Sequence, residues 1–104
     1  MAHSRIEHWS PSDGPLTERA MRRKLAERGF SAHRYVYPPG TLFPDHTHSD
    51  DKMDGVLSGS FRILIEGEEC LLGPGDVVLV PGGAVHSAEV LGGEAVVSLD
   101  GFRG

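Results

Sequence analysis

From Phe30 onward, short apolar or alternating runs are cut at close intervals by glycine-rich turns. That pattern predicts strands, because side chains two residues apart share one face of extended backbone. Phe30 to Tyr37 is rich in aromatic and β-favouring residues. Val56–Leu57 and Phe61 to Ile65 form two further runs, with Gly59 at the turn between them. Ile65-Glu66-Gly67-Glu68 is a hairpin signal, and Cys70 to Leu72 is its return strand. After the turn Gly73-Pro74-Gly75-Asp76, Val77 to Val80 is wholly apolar, which predicts burial on both faces. Val85 to Leu91 and Glu94 to Leu99 are joined by Gly92-Gly93, a second hairpin signal. Many short, turn-punctuated strands predict an all-β antiparallel barrel or jelly roll.

The first thirty residues follow a different rule. Ser10-Pro11-Ser12-Asp13-Gly14-Pro15 cannot continue a helix, so residues 1–14 read as an extended arm. Its large apolar groups, Ile6 and Trp9, need a surface to pack on, either the barrel exterior or a second subunit. A short helix is predicted from Glu18 to Arg28. Thr17 is its N-cap, Leu16 and Met21 form a hydrophobic staple, and Gly29 fits the position past its end. Glu18 and Arg28 suit the two ends of the helix dipole. Met21 and Leu25 make a narrow apolar stripe, suited to resting on a sheet. The expected organisation is an arm over 1–14 and one barrel domain over 15–104, with the barrel itself at about 30–102.

Composition narrows the class. With 104 residues and 38% hydrophobic residues, the chain can form one small core. Gly 14 and Pro 7 are high counts for this length and fit many tight turns. A net charge of -5 argues against a nucleic-acid partner, and the basic stretch Arg19 to Arg28 reads as a helix face. The single cysteine, Cys70, precludes an internal disulfide and reads as a buried thiol beside Leu71 and Leu72. No apolar run approaches the ~20 residues of a membrane span. Met1 to Trp9 lacks the apolar segment of a signal peptide, so a cytoplasmic protein is expected.

Candidate chemistry centres on His46-Thr47-His48. In a strand the two imidazoles point to one face and offer two nitrogen ligands from a rigid backbone. His86 follows Pro81-Gly82-Gly83-Ala84-Val85 and supplies a third if the fold brings it opposite. His3, His8 and His33 read as exposed or hydrogen-bonded residues. Gly75 and Gly83 suit turns, and Pro81 a strand end.

These residues resemble the two motifs of the cupin superfamily. Gly40, five residues and His46-Thr47-His48 match the first, which Gly59 closes at the expected distance. Gly75, five residues, Pro81-Gly82-Gly83, two residues and His86 match the second. The resemblance covers about Phe30 to Leu99. Two positions depart from it. Val90 stands where the second motif ends in asparagine, and Lys52 or Met53 stands where the first has glutamate, the usual fourth metal ligand. A lysine ammonium has no lone pair for a metal and repels a divalent cation.

Three arrangements follow. His46, His48 and His86 hold the metal alone; or an aspartate replaces the glutamate, Asp54 on the same strand face or Asp50 or Asp51 from the loop; or no metal binds and Lys52 fills the site, paired with Asp54. The resemblance implies a divalent metal ion (Fe, Zn, Ni or Mn) and a small-molecule substrate. The leading functional expectation is a mononuclear Fe-type oxygenase, or else an isomerase, with Lys52 as acid or substrate counter-ion. The alternatives are a non-enzymatic ligand-binding module with Lys52 in the pocket, or a structural metal site without chemistry. The resemblance also implies a homodimer, with the arm crossing to the partner.

Overall fold

The computed structural model describes residues 5–103, and the expectation for His3 lies outside them. Strand β1 (Ile6–Glu7) and a 3-10 turn (Pro11–Asp13) precede helix α1 (Glu18–Glu27). The remaining strands are β2 (Phe30–Tyr37), β3 (Leu42–His46), β4 (Lys52–Ser58), β5 (Ser60–Ile65), β6 (Glu68–Leu72), β7 (Val77–Val80), β8 (His86–Leu91) and β9 (Val96–Arg103). They form two antiparallel sheets, one ordered β1-β7-β4-β9-β2 and the other β3-β8-β5-β6. This is the jelly-roll form of the expected fold, with two facing sheets rather than one closed ring of hydrogen bonds.

Alternation along each strand divides the apolar residues between two packing layers. Val56, Phe61, Ile63, Ile65, Val78, Val80 and Val96 fill the space between the sheets. Val77 and Leu99 face outward from the five-stranded sheet and meet Met21, Leu25 and Phe30 in a second cluster. Strand β7 thus serves both layers, which is why its sequence is apolar throughout.

Helix α1 caps the outer layer. Thr17 Oγ1 accepts from the Ala20 amide at 3.0 Å, as the N-cap signal predicted. The helix ends at Glu27, one residue short of the predicted end, and Gly29 takes the left-handed conformation beyond it. Met21 is fully buried over Gly55 of β4, where a Cβ would lie 2.6 Å from the Met21 sulfur. Burying a side chain of that size contributes about 1.5–3 kcal/mol.

The arm turns back on its own chain. Ile6 pairs with Val78 and Glu7 with Val77, adding β1 to the edge of the sheet. Ile6 packs against the inter-sheet core and Trp9 against the helix cluster, and the Trp9 indole donates to the Gly14 carbonyl at 2.7 Å. Both side chains thus find packing partners within their own chain. Cys70 is fully buried. Among the described residues, no helix is long and apolar enough to cross a membrane.

Candidate metal centre

Three elements bring the histidines together. His46 ends β3 and stands directly across from His86, the first residue of β8. A register irregularity between Phe43 and His46 re-aims the end of β3. His48 lies in the loop that follows, and the second glycine-rich segment fixes that loop. The Gly83 amide donates to the His48 carbonyl at 2.7 Å, and the Gly82 amide donates to Asp51 Oδ1 at 2.8 Å. A Cβ on Gly82 would meet the Ser49 carbonyl oxygen at 2.5 Å, so the turn needs glycine to approach this closely.

The result is a convergent group. One ligand nitrogen from each of His46, His48 and His86 lies within 4.8 Å of the others. His46 Nδ1 is 2.7 Å from the Pro44 carbonyl, and His86 Nδ1 is 3.0 Å from the Ala84 carbonyl. A carbonyl only accepts, so each Nδ1 carries the hydrogen and each Nε2 presents a lone pair. His86 Nε2 is buried and has no hydrogen-bond partner. Burial, then the positive charge of Lys52 and His46, lowers the His48 pKa, and burial also lowers that of His86. Three converging imidazole nitrogens, two of the rings held by backbone carbonyls and one Nε2 buried without a partner, are a donor set suited to a divalent ion, so these residues fit such a group.

Lys52 lies in a polar cluster on the same cavity wall. Its ammonium is 2.7 Å from Asp54 Oδ2 and 3.6 Å from Asp100 Oδ2. Asp54 and Asp100 stand directly opposite each other on β4 and β9. Ser98 donates to Asp100 Oδ1 at 2.6 Å, and the Tyr37 hydroxyl donates to Asp100 Oδ2. Burial alone would push the Lys52 pKa down, but the two carboxylates outweigh it and hold it above the usual lysine value. Burial, followed by the charge of Asp100, pushes the Asp54 carboxyl up to about 7 against the pull of Lys52. Asp54 Oδ1 is buried without a partner. Burial first, then the hydrogen bond to Asp100 and its charge, raise the Tyr37 phenol well above its ordinary pKa.

Histidines and polar cluster share the wall of one cavity of about 280 Å³. Tyr35, Tyr37, Phe43, Phe61 and Phe102 give it an aromatic lining. Tyr37 meets Phe43 edge-on at 4.9 Å, and Phe102 meets His48 edge-on at 5.8 Å.

Of the residues singled out in the sequence, His46, His48, His86, Lys52 and Asp54 all line this cavity. Asp54 bonds to Lys52 and is not among the three side chains whose ligand atoms converge. Asp51 is taken up by Gly82 and by Arg103 at 3.5 Å, and Asp50 is exposed. His8 pairs with Asp76 at 2.7 Å, and His33 is exposed. Sequence reasoning missed Asp100, Ser98 and Tyr37. The available signal was the Ser98–Asp100 alternation following Val96-Val97 and flanking Leu99, which places two polar groups on one face.

A family profile described as "Cupin domain" matches residues 33–102, and the chain belongs to the cupin family. No curated protein matches it. Among solved structures, it is similar to a conserved protein of unknown function, SPY1581, from Streptococcus pyogenes (23% identity, 72% of this chain and 64% of that one, TM-score 0.64). It also resembles DMSP lyase DddQ from Ruegeria pomeroyi (30% identity, 73% and 39%, TM-score 0.65). A third is oxalate decarboxylase of Bacillus subtilis, described with Mn(II) centres (25% identity, 72% and 22%, TM-score 0.62). The chain thus spans less than two thirds of the length of each.

Proposed function

We propose that this cupin is a metal-dependent enzyme acting on a small molecule at a mononuclear site of His46, His48 and His86, with Fe(II)-type oxygenation as its reaction. The observation that carries the reading is the orientation of the imidazoles. Backbone carbonyls fix the hydrogens of His46 and His86, which leaves a buried lone pair on His86 Nε2. A bound divalent ion supplies Lewis acidity and, as iron, redox chemistry toward oxygen. The chain's own part is to hold three imidazole donors, leave the remaining coordination positions to substrate, and exclude water with an aromatic wall.

The ligand-binding alternative used Lys52 as counter-ion to an anion. The Lys52 ammonium is paired with Asp54 and close to Asp100, so the geometry favours the metal reading. The proposal includes a cytoplasmic homodimer. Because β1 is paired within its own chain, we assign the contact to the outer edge of β2, where Val36 is 50% exposed.

The test is metal analysis of protein purified without nickel resin, followed by oxygen-uptake assays with thiols and diketones. The reading expects about one metal per chain and metal-dependent oxygen consumption. Protein that stays metal-free under saturating iron, zinc, nickel or manganese would sink it. Light scattering at the mass of a monomer would sink the dimer.

A further inference from the structure

The cavity wall holds four buried or half-buried polar groups that the three-histidine reading does not use. Tyr37, Asp100, Lys52 and Asp54 form one connected chain of contacts. Their order matters. The Tyr37 hydroxyl donates its hydrogen to Asp100 Oδ2, so toward the cavity its oxygen can only accept. Asp100 is held by Ser98 and flanked by Lys52, which in turn is anchored by Asp54. With Asp54 and Asp100 both ionised, two carboxylates against one ammonium leave the cluster with one negative charge in excess, so it can take up a single proton. Lys52 is also the one lysine or arginine in the described cavity wall, and it is already engaged. No free side-chain cation is available there for a ligand that arrives as an anion.

We propose that Tyr37 and Asp100 form a proton path that deprotonates a neutral, hydroxyl-bearing ligand as it settles at the three histidines. The O–H bond of the ligand breaks and its electron pair stays on the ligand oxygen. That proton forms a new bond to the Tyr37 oxygen while the original Tyr37 proton passes to Asp100 Oδ2. Tyr37 ends as it began, the ligand carries the negative charge, and Asp100 becomes a neutral acid beside Lys52. Tyr37 touches the ligand and is the catalytic residue of the path; Lys52 and Asp54 are positioning residues. The inference rests on the three-histidine reading, since those imidazoles and Tyr37 line the same cavity.

The experiment uses zinc-loaded full-length protein and acetohydroxamic acid, a neutral chelator that ionises at its hydroxyl. Metal content and calorimetric binding of the chelator are established first. Infrared difference spectra, recorded by stopped flow, then follow the protein's carboxyl groups. Binding is expected to create a protonated-carboxyl band that D100N lacks, and that appears at least tenfold more slowly in Y37F. A chain that takes up no zinc overturns both this inference and the metal reading. If zinc and chelator bind but no such band forms, or if it forms equally fast in Y37F, this inference alone falls.

Discussion

Lys52 Nζ lies 2.7 Å from Asp54 Oδ2, two residues along the same face of β4, with both side chains largely withdrawn from solvent. Where the family motif has a glutamate aimed at the metal, this chain has a cation tied down to a carboxylate. The pair is a single unit, because without Lys52 the buried Asp54 and Asp100 carboxyls would face each other with no cation between them. Lys52→Met should therefore lower stability by about 3 kcal/mol, the usual cost of leaving a buried charge without its partner. Urea denaturation measures this. Adding Asp54→Asn to Lys52→Met should recover part of the loss, since the two residues are in contact and their effects are not additive.

If the three histidines hold a metal as proposed, removing one should act on metal content, with folding followed as a control. His86→Ala deletes the buried Nε2 that has no protein partner. Metal bound per folded chain should fall by more than about tenfold, since loss of even a supporting residue costs at least about that in metal affinity. His33→Ala, at an exposed position on β2, should leave metal content unchanged. Elemental analysis of folded fractions distinguishes the two. Equal metal in both variants would remove His86 from the site.

Much of the architecture was legible because it depends on local rules. The Thr17 cap, the Met21–Leu25 stripe and the apolar β7 run each announced their place. The histidine triad was legible for a similar reason, since two short spaced motifs carry it. Other features depend on pairings distant in sequence. Strand β3, Leu42–His46, contains Pro44 and only two large apolar residues, Leu42 and Phe43, so its alternation is weak. Strand β1 has two residues, too short for any period to show, and exists because β7 offers it an edge. Asp100 and Tyr37 are 63 residues apart and meet only because β2 and β9 pair. Lys52 was visible as a departure from the motif, but what neutralises it came partly from β9, through Asp100.

Gly59 ties β4 to β5 in a left-handed conformation, with φ at 87°. A Cβ there would come 2.5 Å from the Ala95 carbonyl oxygen, a backbone atom that cannot swing aside. Gly59→Ala adds a left-handed alanine to a steric clash, and should cost at least about 2 kcal/mol. The affinity of the folded fraction for metal should stay within about twofold of wild type, since the residue lies outside the cavity lining. Thermal denaturation and metal titration test the two halves separately.

The Asp54 carboxyl should leave a signature in the pH dependence of stability. Its pKa rises from 3.8 in the ordinary case to about 7 in the native protein. The native state therefore holds a proton that the unfolded chain releases between those values. By linkage, this group favours folding at low pH, and its contribution is lost as pH rises from 3.8 to about 7, then stays flat above. Asp54→Asn keeps the shape but removes the titration. Relative to wild type, the variant should gain stability between pH 4 and pH 8, by an amount on the order of 4 kcal/mol. Guanidinium denaturation of metal-free protein at several pH values reads the difference. Two parallel curves would show that Asp54 is ionised throughout, with Lys52 outweighing both burial and Asp100.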